Sequence, residues 1–225
     1  DQGLPQERGL LLAGVIQRDA PARFHDGDGN ARKPRAGADI GERAFAQVRR
    51  TRIGSPFVIA SIEEVASPTS RPVGFEANGG VLLGSDVSVA GGMLTALPTR
   101  DAMLPLLCVL GLGLKEGKSV SELVAALPAR FAASGRLEHV GPEKTGPFLS
   151  KLQDRSFQTG YFASKGAISA VDQIDGIRFV FETGDTVHYR ASGNAPELRC
   201  YAETGDSQRS AALLAWGLEK AAAAL

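Results

Sequence analysis

Apolar and polar positions alternate along "AFAQVRR" (44–50), the two-residue period of a half-buried strand. The next stretch, "RIGSPFVIASIEEVA" (52–66), changes to a helical reading, with Ser55 placed as N-cap and Pro56 at the first helical position. "RPVGFEANGGVLLG" (71–84) then gives a short strand, a glycine-rich loop and a second apolar run. "TRDAMLPLLCVLGLGLK" (99–115) predicts a buried helix capped by Thr99 or Asp101, with Pro105 confined to its first turn. Ser119 and Glu122 have the spacing of a capping box at the head of "SVSELVAAL". A further short helix is predicted over 142–153. Beyond about Gly160 the pattern changes again. Three alternating runs fill 176–204, the first two joined by the hairpin sequence "ETGD" (182–185). An Ala/Leu-rich helix follows, with Leu213, Leu214 and Trp216 on its apolar face.

These elements predict an α/β protein. A mixed-sheet α/β domain is expected over 45–160. A small α+β domain is expected over 165–225, with an antiparallel sheet and a C-terminal helix. Residues 1–44 carry scattered charge, Gly and Pro, and only 9–16 is coherently apolar. This segment is expected to be irregular, the remnant of a preceding domain.

Charge and cysteine content narrow the function classes. Lys plus Arg number 25 and Asp plus Glu number 25, which argues against charge-driven nucleic-acid binding. Cys108 and Cys200 both lie in apolar runs and read as buried free thiols of a reducing compartment. No apolar run reaches the roughly 18–20 residues of a membrane span. A cytoplasmic location without a membrane partner is therefore expected.

Four short constellations carry candidate chemistry. In "RASGNAP" (190–196), Arg190 ends one strand and Leu198 opens the next. Ser192, Gly193 and Asn194 between them offer hydroxyl, amide and unhindered backbone N–H donors, and Arg190 offers a planar fork. Phosphate suits such a set, though a plain polar hairpin would use the same residues. In "GFEANGG" (74–80), Glu76 and Asn78 on a tight loop suit vicinal sugar hydroxyls, which both donate and accept. A glycine-rich connection with a solvated glutamate is the simpler reading there. Arg52 precedes the helix start at Ser55 and Pro56, and both features attract anions. In "HDGDGN" (25–30), Asp26, Asp28 and Asn30 alternate with glycine and form a weak oxygen set for Mg2+. Ala31 and Gly37 stand where an EF-hand loop needs glycine and glutamate.

Taken in order, these pieces resemble the α-D-phosphohexomutases, the phosphomannomutase/phosphoglucomutase family, in its C-terminal half. The family's third domain places a basic residue before a glycine, here Arg52-Ile53-Gly54. It then presents a sugar loop of the form Gly-x-Glu-x-Ser-Gly-His, here Gly74-Phe75-Glu76-Ala77-Asn78-Gly79-Gly80. The fourth domain opens a strand with Asp-Gly, here Asp175-Gly176. It then carries a phosphate loop of the form Arg-x-Ser-x-Thr-x-Pro, here Arg190 to Pro196. Glu203 after the loop strand also fits. The resemblance covers about 45–225.

The departures define what the resemblance implies. Asn78 and Gly80 replace the family's Ser and His, while Glu76 is kept. The metal loop, Asp-Gly-Asp-Gly-Asp-Arg in the family, reads Asp26-Gly27-Asp28-Gly29-Asn30-Ala31, with one carboxylate and the arginine gone. The Thr-x-Ser-His-Asn-Pro loop, whose serine carries the phosphoryl group, does not occur in the 225 residues. The resemblance thus implies part of an isomerase that interconverts hexose 1-phosphate and hexose 6-phosphate through a bisphosphate. Mg2+ would serve the complete enzyme. Hexose phosphates are the expected partners, together with a missing N-terminal half. Arg52, Glu76, Asn78, Arg190, Ser192, Gly193 and Asn194 would bind substrate, and no catalytic residue is assigned. A non-catalytic phosphosugar-binding module is the alternative.

Overall fold

The computed structural model of the chain describes residues 14–19, 47–76 and 79–225. The chain divides into two compact units that part at Pro128 and Ala129.

In the first unit, β1 (Gly14–Asp19), β2 (Gln47–Arg50), β3 (Ser70–Phe75), β4 (Val81–Leu83) and β7 (Leu97–Asp101) form a sheet of order β2-β1-β3-β4-β7. Every described pair in it is antiparallel. Strands β5 (Val87–Val89) and β6 (Gly92–Leu94) make a separate hairpin. Helix α1 (Ser55–Val65) lies on the sheet through Val58 and Ile62, which pack with Leu82. Gly74 of β3 lets the helix come this close. A Cβ built there would sit 2.4 Å from Val58 Cγ1 and 3.0 Å from Ile62 Cδ1.

Two expectations change in this unit. Within the segment expected to be irregular, Gly14–Asp19 is a strand that pairs with β2 on one side and β3 on the other. It draws on the end of the one apolar run in that segment. The helix expected over 99–115 forms as α2 (Met103–Glu116), but it is not buried. Met103, Leu106, Leu107, Leu110 and Leu114 are all exposed, and Gly113 is its one buried residue. Its apolar residues run almost all the way round, so no single neighbour could cover them. Ala102 takes the N-cap position, and Asp101 just before it, not Thr99, accepts hydrogen bonds from Met103 N–H at 2.7 Å and Leu104 N–H at 3.3 Å. The capping box heads α3 (Val120–Ala125) as expected, with Ser119 N–H donating to Glu122 Oε2 at 2.8 Å.

The second unit begins earlier than the sequence suggested. Strand β8 (Phe131–Glu138), lying before the expected boundary near 160, pairs along its whole length with β12 (Glu197–Thr204). With β9 (Ile168–Asp172), β10 (Ile177–Phe181) and β11 (Thr186–Ala191) they form an antiparallel sheet of order β8-β12-β11-β10-β9. Helices α4 (Pro142–Lys151) and α5 (Arg155–Tyr161) belong to this unit, and α6 (Ser207–Ala224) closes the chain. The "ETGD" hairpin joins β10 to β11, with Gly184 N–H donating to Phe181 O at 2.8 Å.

Alternate residues of the strands, among them Ile177, Phe179, Val187, Tyr189, Leu198 and Cys200, turn to a core shared with Phe148, Phe162, Leu213 and Leu214. Trp216 is partly buried against it, 5.9 Å from the Tyr161 ring. Buried in this core, the Tyr161 hydroxyl donates to that of Tyr189 at 3.0 Å, which donates to Gly217 O at 2.9 Å. Cys200 is buried as expected, but Cys108 is exposed on α2. Among the described residues no helix is long and apolar enough to cross a membrane.

Candidate functional site

The candidate residues fall into two groups, one in each unit. In the first unit, Arg52 leads into α1 and its guanidinium lies over the Phe57 ring, 4.8 Å from the centroid. Both side chains are exposed. Stacking holds the cation at the helix N-terminus without a carboxylate partner among the described residues. Glu76, where the chain leaves β3, is 8 % exposed. Its backbone closes a tight turn, with Glu76 N–H donating to Gly80 O at 2.9 Å and Gly79 N–H to Glu76 O at 3.0 Å. Its carboxylate accepts from Ser55 Oγ at 2.9 Å. Ser55 is therefore not the N-cap of α1. Gly54 takes that position with no side-chain bond, and the serine hydroxyl serves Glu76 instead. Asn78 lies outside the described residues.

In the second unit, residues 192–196 join β11 to β12. Ser192 N–H donates to Glu197 O at 2.9 Å, and Glu197 N–H to Ala195 O at 2.8 Å. Pro196 O accepts from Val140 N–H at 2.8 Å, tying the loop to the residues that follow β8. Asn194 N–H reaches Ser192 Oγ only at 3.4 Å. Gly193 and Asn194 are exposed, and the Gly193 N–H has no acceptor among the described residues. No residue of 190–196 has positive φ, so the loop is not an alternating-hand nest. Among the described residues its free donors are the Gly193 backbone N–H, the Ser192 hydroxyl and the Asn194 amide, with the Asn194 backbone N–H held only by the long bond to Ser192.

Arg190 stands at the loop mouth with its side chain only 16 % exposed. Its Nε lies 2.7 Å from Asp175 Oδ2. His188, two residues earlier on the same face of β11, is 9 % exposed and donates through Nε2 to Asp175 O at 2.5 Å. Burial lowers its pKa, and the nearby Arg178 and Arg190 cations act in the same direction. Glu203 lies at the end of β12 remote from the loop. It pairs with Arg130 at 3.3 Å, and Arg130 also donates to Gly184 O at 3.0 Å, so its contacts lie away from the loop.

Sequence reasoning did not single out Ser55 as a partner of Glu76, because its place before a helical run matched a cap equally well. Asp26 and Asp28 lie outside the described residues. Among the described residues, no three His, Cys, Asp or Glu side chains are grouped so as to hold a metal ion.

The first unit thus carries a buried glutamate on a tight turn, and the second an arginine-headed loop. Residues 34–131 match the family model described as "Phosphoglucomutase/phosphomannomutase, alpha/beta/alpha domain III", and 115–216 match "Phosphoglucomutase/phosphomannomutase, C-terminal domain". The chain belongs to the phosphoglucomutase/phosphomannomutase family. It is 38 % identical over 217 residues to a phosphomannomutase of Sinorhizobium fredii (strain NBRC 101917 / NGR234), covering 96 % of this chain and 46 % of that protein. It is 46 % identical over 169 residues to a phosphomannomutase of Salmonella muenchen, covering 74 % of this chain and 35 % of that protein. The chain thus spans less than half the length of these relatives.

Proposed function

We propose that the chain binds hexose phosphates, as the sugar-recognising and phosphate-anchoring part of a phosphomannomutase-like phosphohexomutase. Glu76 and Asn78 would hold sugar hydroxyls, with Arg52 orienting the substrate. Arg190, Ser192, Gly193 and Asn194 would hold the phosphate that does not react. A phosphate site apart from the reacting centre suits interconversion of 1- and 6-phosphates, because either phosphate can occupy it while the other reacts. The phosphoryl-transfer step itself is assigned to no residue of this chain. Any Mg2+ would fall to Asp26 and Asp28. Two carboxylates supply less charge than three, and Mg2+ gives up its water reluctantly, so binding there would be weak.

The observation that carries this reading is the loop at 192–196. Its exposed Gly193 and Asn194 follow Arg190 closely in sequence, and among the described residues the Arg190 guanidinium has one ion pair, to Asp175. Calorimetric titration with mannose 1-phosphate, mannose 6-phosphate and mannose tests it. Both phosphosugars are expected to bind, mannose much more weakly, and inorganic phosphate to compete. Equal affinity for mannose and its phosphates would contradict the reading. A non-catalytic phosphosugar-binding module is the alternative, and an assay of mutase activity with a hexose 1,6-bisphosphate activator separates the two. Isomerisation by the protein that carries this chain supports the mutase reading, and phosphosugar binding without it supports the alternative.

A further inference from the structure

We infer that Asp175 is the positioning residue of the phosphate loop. It touches no ligand itself but holds the Arg190 guanidinium at the loop mouth through a largely buried ion pair, so that the terminal nitrogens meet the anion. The inference rests on the reading of 190–196 as a phosphate site.

Arginine at a loop mouth is a flexible cation that loses rotamer freedom when it binds. A fork that is already oriented avoids that loss, and the preference for a planar bidentate contact then becomes useful. In this protein the orienting contact is a carboxylate against Nε. Asp175 Oδ2 is 2.7 Å from that atom, and both side chains are largely buried, at 14 % and 16 % exposure. The contact is an ion pair and not a hydrogen bond, since the buried Nε–H meets no acceptor in hydrogen-bonding geometry, and the terminal nitrogens are not engaged by Asp175 in the pair.

The backbone around Asp175 holds it against β11. Gly176 has φ 78°, a left-handed conformation that suits glycine, and a Cβ built there would lie 2.2 Å from Tyr189 O and 2.9 Å from Arg190 Cα. The turn before β10 is thus pressed directly onto the residue it orients. On the carbonyl side, Asp175 O accepts from His188 Nε2. Asp175 is fixed by two residues of β11 and passes that constraint to Arg190. The neighbouring strand adds a reason for the pairing. Arg190 stands opposite Arg199 of β12, a like-charge pair that would drive the two side chains apart. Arg199 is drawn aside by Glu197 at 3.5 Å, and Arg190 by Asp175.

The sign of the effect separates positioning from simple electrostatics. Deleting a carboxylate next to an anion site strengthens anion binding if charge alone matters. If orientation matters, the deletion weakens it. The test is calorimetry with inorganic phosphate and with mannose 1-phosphate on the native chain, Asp175→Ala, Asp175→Asn, Arg190→Ala and the Asp175→Ala/Arg190→Ala double variant. Asp175→Ala should weaken both ligands about fivefold, the scale of a coupled neighbour. Asp175→Asn keeps the size of the side chain but removes the charge that holds Arg190, and should also bind both ligands more weakly than the native chain. In the Arg190→Ala background, removing Asp175 should weaken nothing further. Circular dichroism and thermal unfolding confirm that each variant is folded, and Asp175→Asn carries the comparison if the alanine variant is not. Unchanged or tighter binding in a folded Asp175 variant, with Arg190→Ala still impaired, would overturn the inference alone. If Arg190→Ala itself binds phosphate normally, the reading of the loop fails and the inference falls with it.

Discussion

Ser55 and His188 show how a single polar atom changes what a residue does in this fold. The Ser55 hydroxyl could cap helix α1 but donates to buried Glu76 instead. A hydrogen bond to a charged group contributes about 1.5–3 kcal/mol. Ser55→Ala should therefore lower the free energy of unfolding by about 2 kcal/mol, read from urea denaturation. The loss of an N-cap would leave Glu76 unaffected, so comparison with Glu76→Gln distinguishes the two roles. If Ser55 serves Glu76, its hydroxyl should contribute less once the carboxylate is neutral. His188 faces Asp175, Arg178, Arg190 and the ring of Tyr201, and its pKa is lowered from 6.5 mainly by burial. The folded state thus holds this proton less readily than the unfolded chain. The stability it contributes is fully present above about pH 6.5 and is lost as pH falls below it. The midpoint of thermal unfolding should drop as pH is lowered below about 6.5, and the drop should be smaller in His188→Gln.

At the scale of elements, close approach and burial govern the outcome. Gly74 lets α1 lie against β3, and a methyl group there would meet Val58 and Ile62 at or inside contact distance. Gly74→Ala should destabilise the first unit by about 1–3 kcal/mol, the usual cost of overpacking, as measured by chemical denaturation. The two thiols offer a sharper reading. Burial pushes the Cys200 thiol up to about 12, whereas Cys108 is exposed on α2. The native protein should titrate one thiol with a chromogenic disulfide and two after unfolding. Rapid labelling of both in the native state would contradict the placement of Cys200 in the core.

These elements also show what was legible in the sequence. Alternation located β2, β10, β11 and β12, and capping chemistry located the start of α3, because each signal is local. Burial of α2 was misjudged because an apolar run is equally compatible with a covered or an exposed helix until its neighbours are known. The same is true of Cys108.

At the scale of the molecule, the boundary between units illustrates a non-local fact. Strand β8 precedes two helices and three strands before its partner β12 arrives, so no local pattern assigns it to the second sheet. The site was legible to a similar degree. Arg190, Ser192 and Asn194 could be grouped from sequence because they are neighbours. Asp175 and Ser55 act across strand and helix contacts, and their partners become visible only in the fold. The two candidate groups lie in separate units, so each must be tested by its own residues.

The central claim is that residues 190–196 hold a phosphate, and phosphosugar affinity in Arg190→Ala tests it most directly. A charge-assisted contact of about 1.5–3 kcal/mol corresponds to a loss of roughly ten- to a hundredfold in affinity for mannose 1-phosphate. Arg190→Lys should recover only part of this, because an ammonium cannot form the planar fork. Added salt should weaken native binding. Unchanged mannose 1-phosphate affinity in a folded Arg190→Ala protein would contradict the claim and leave "RASGNAP" a polar hairpin.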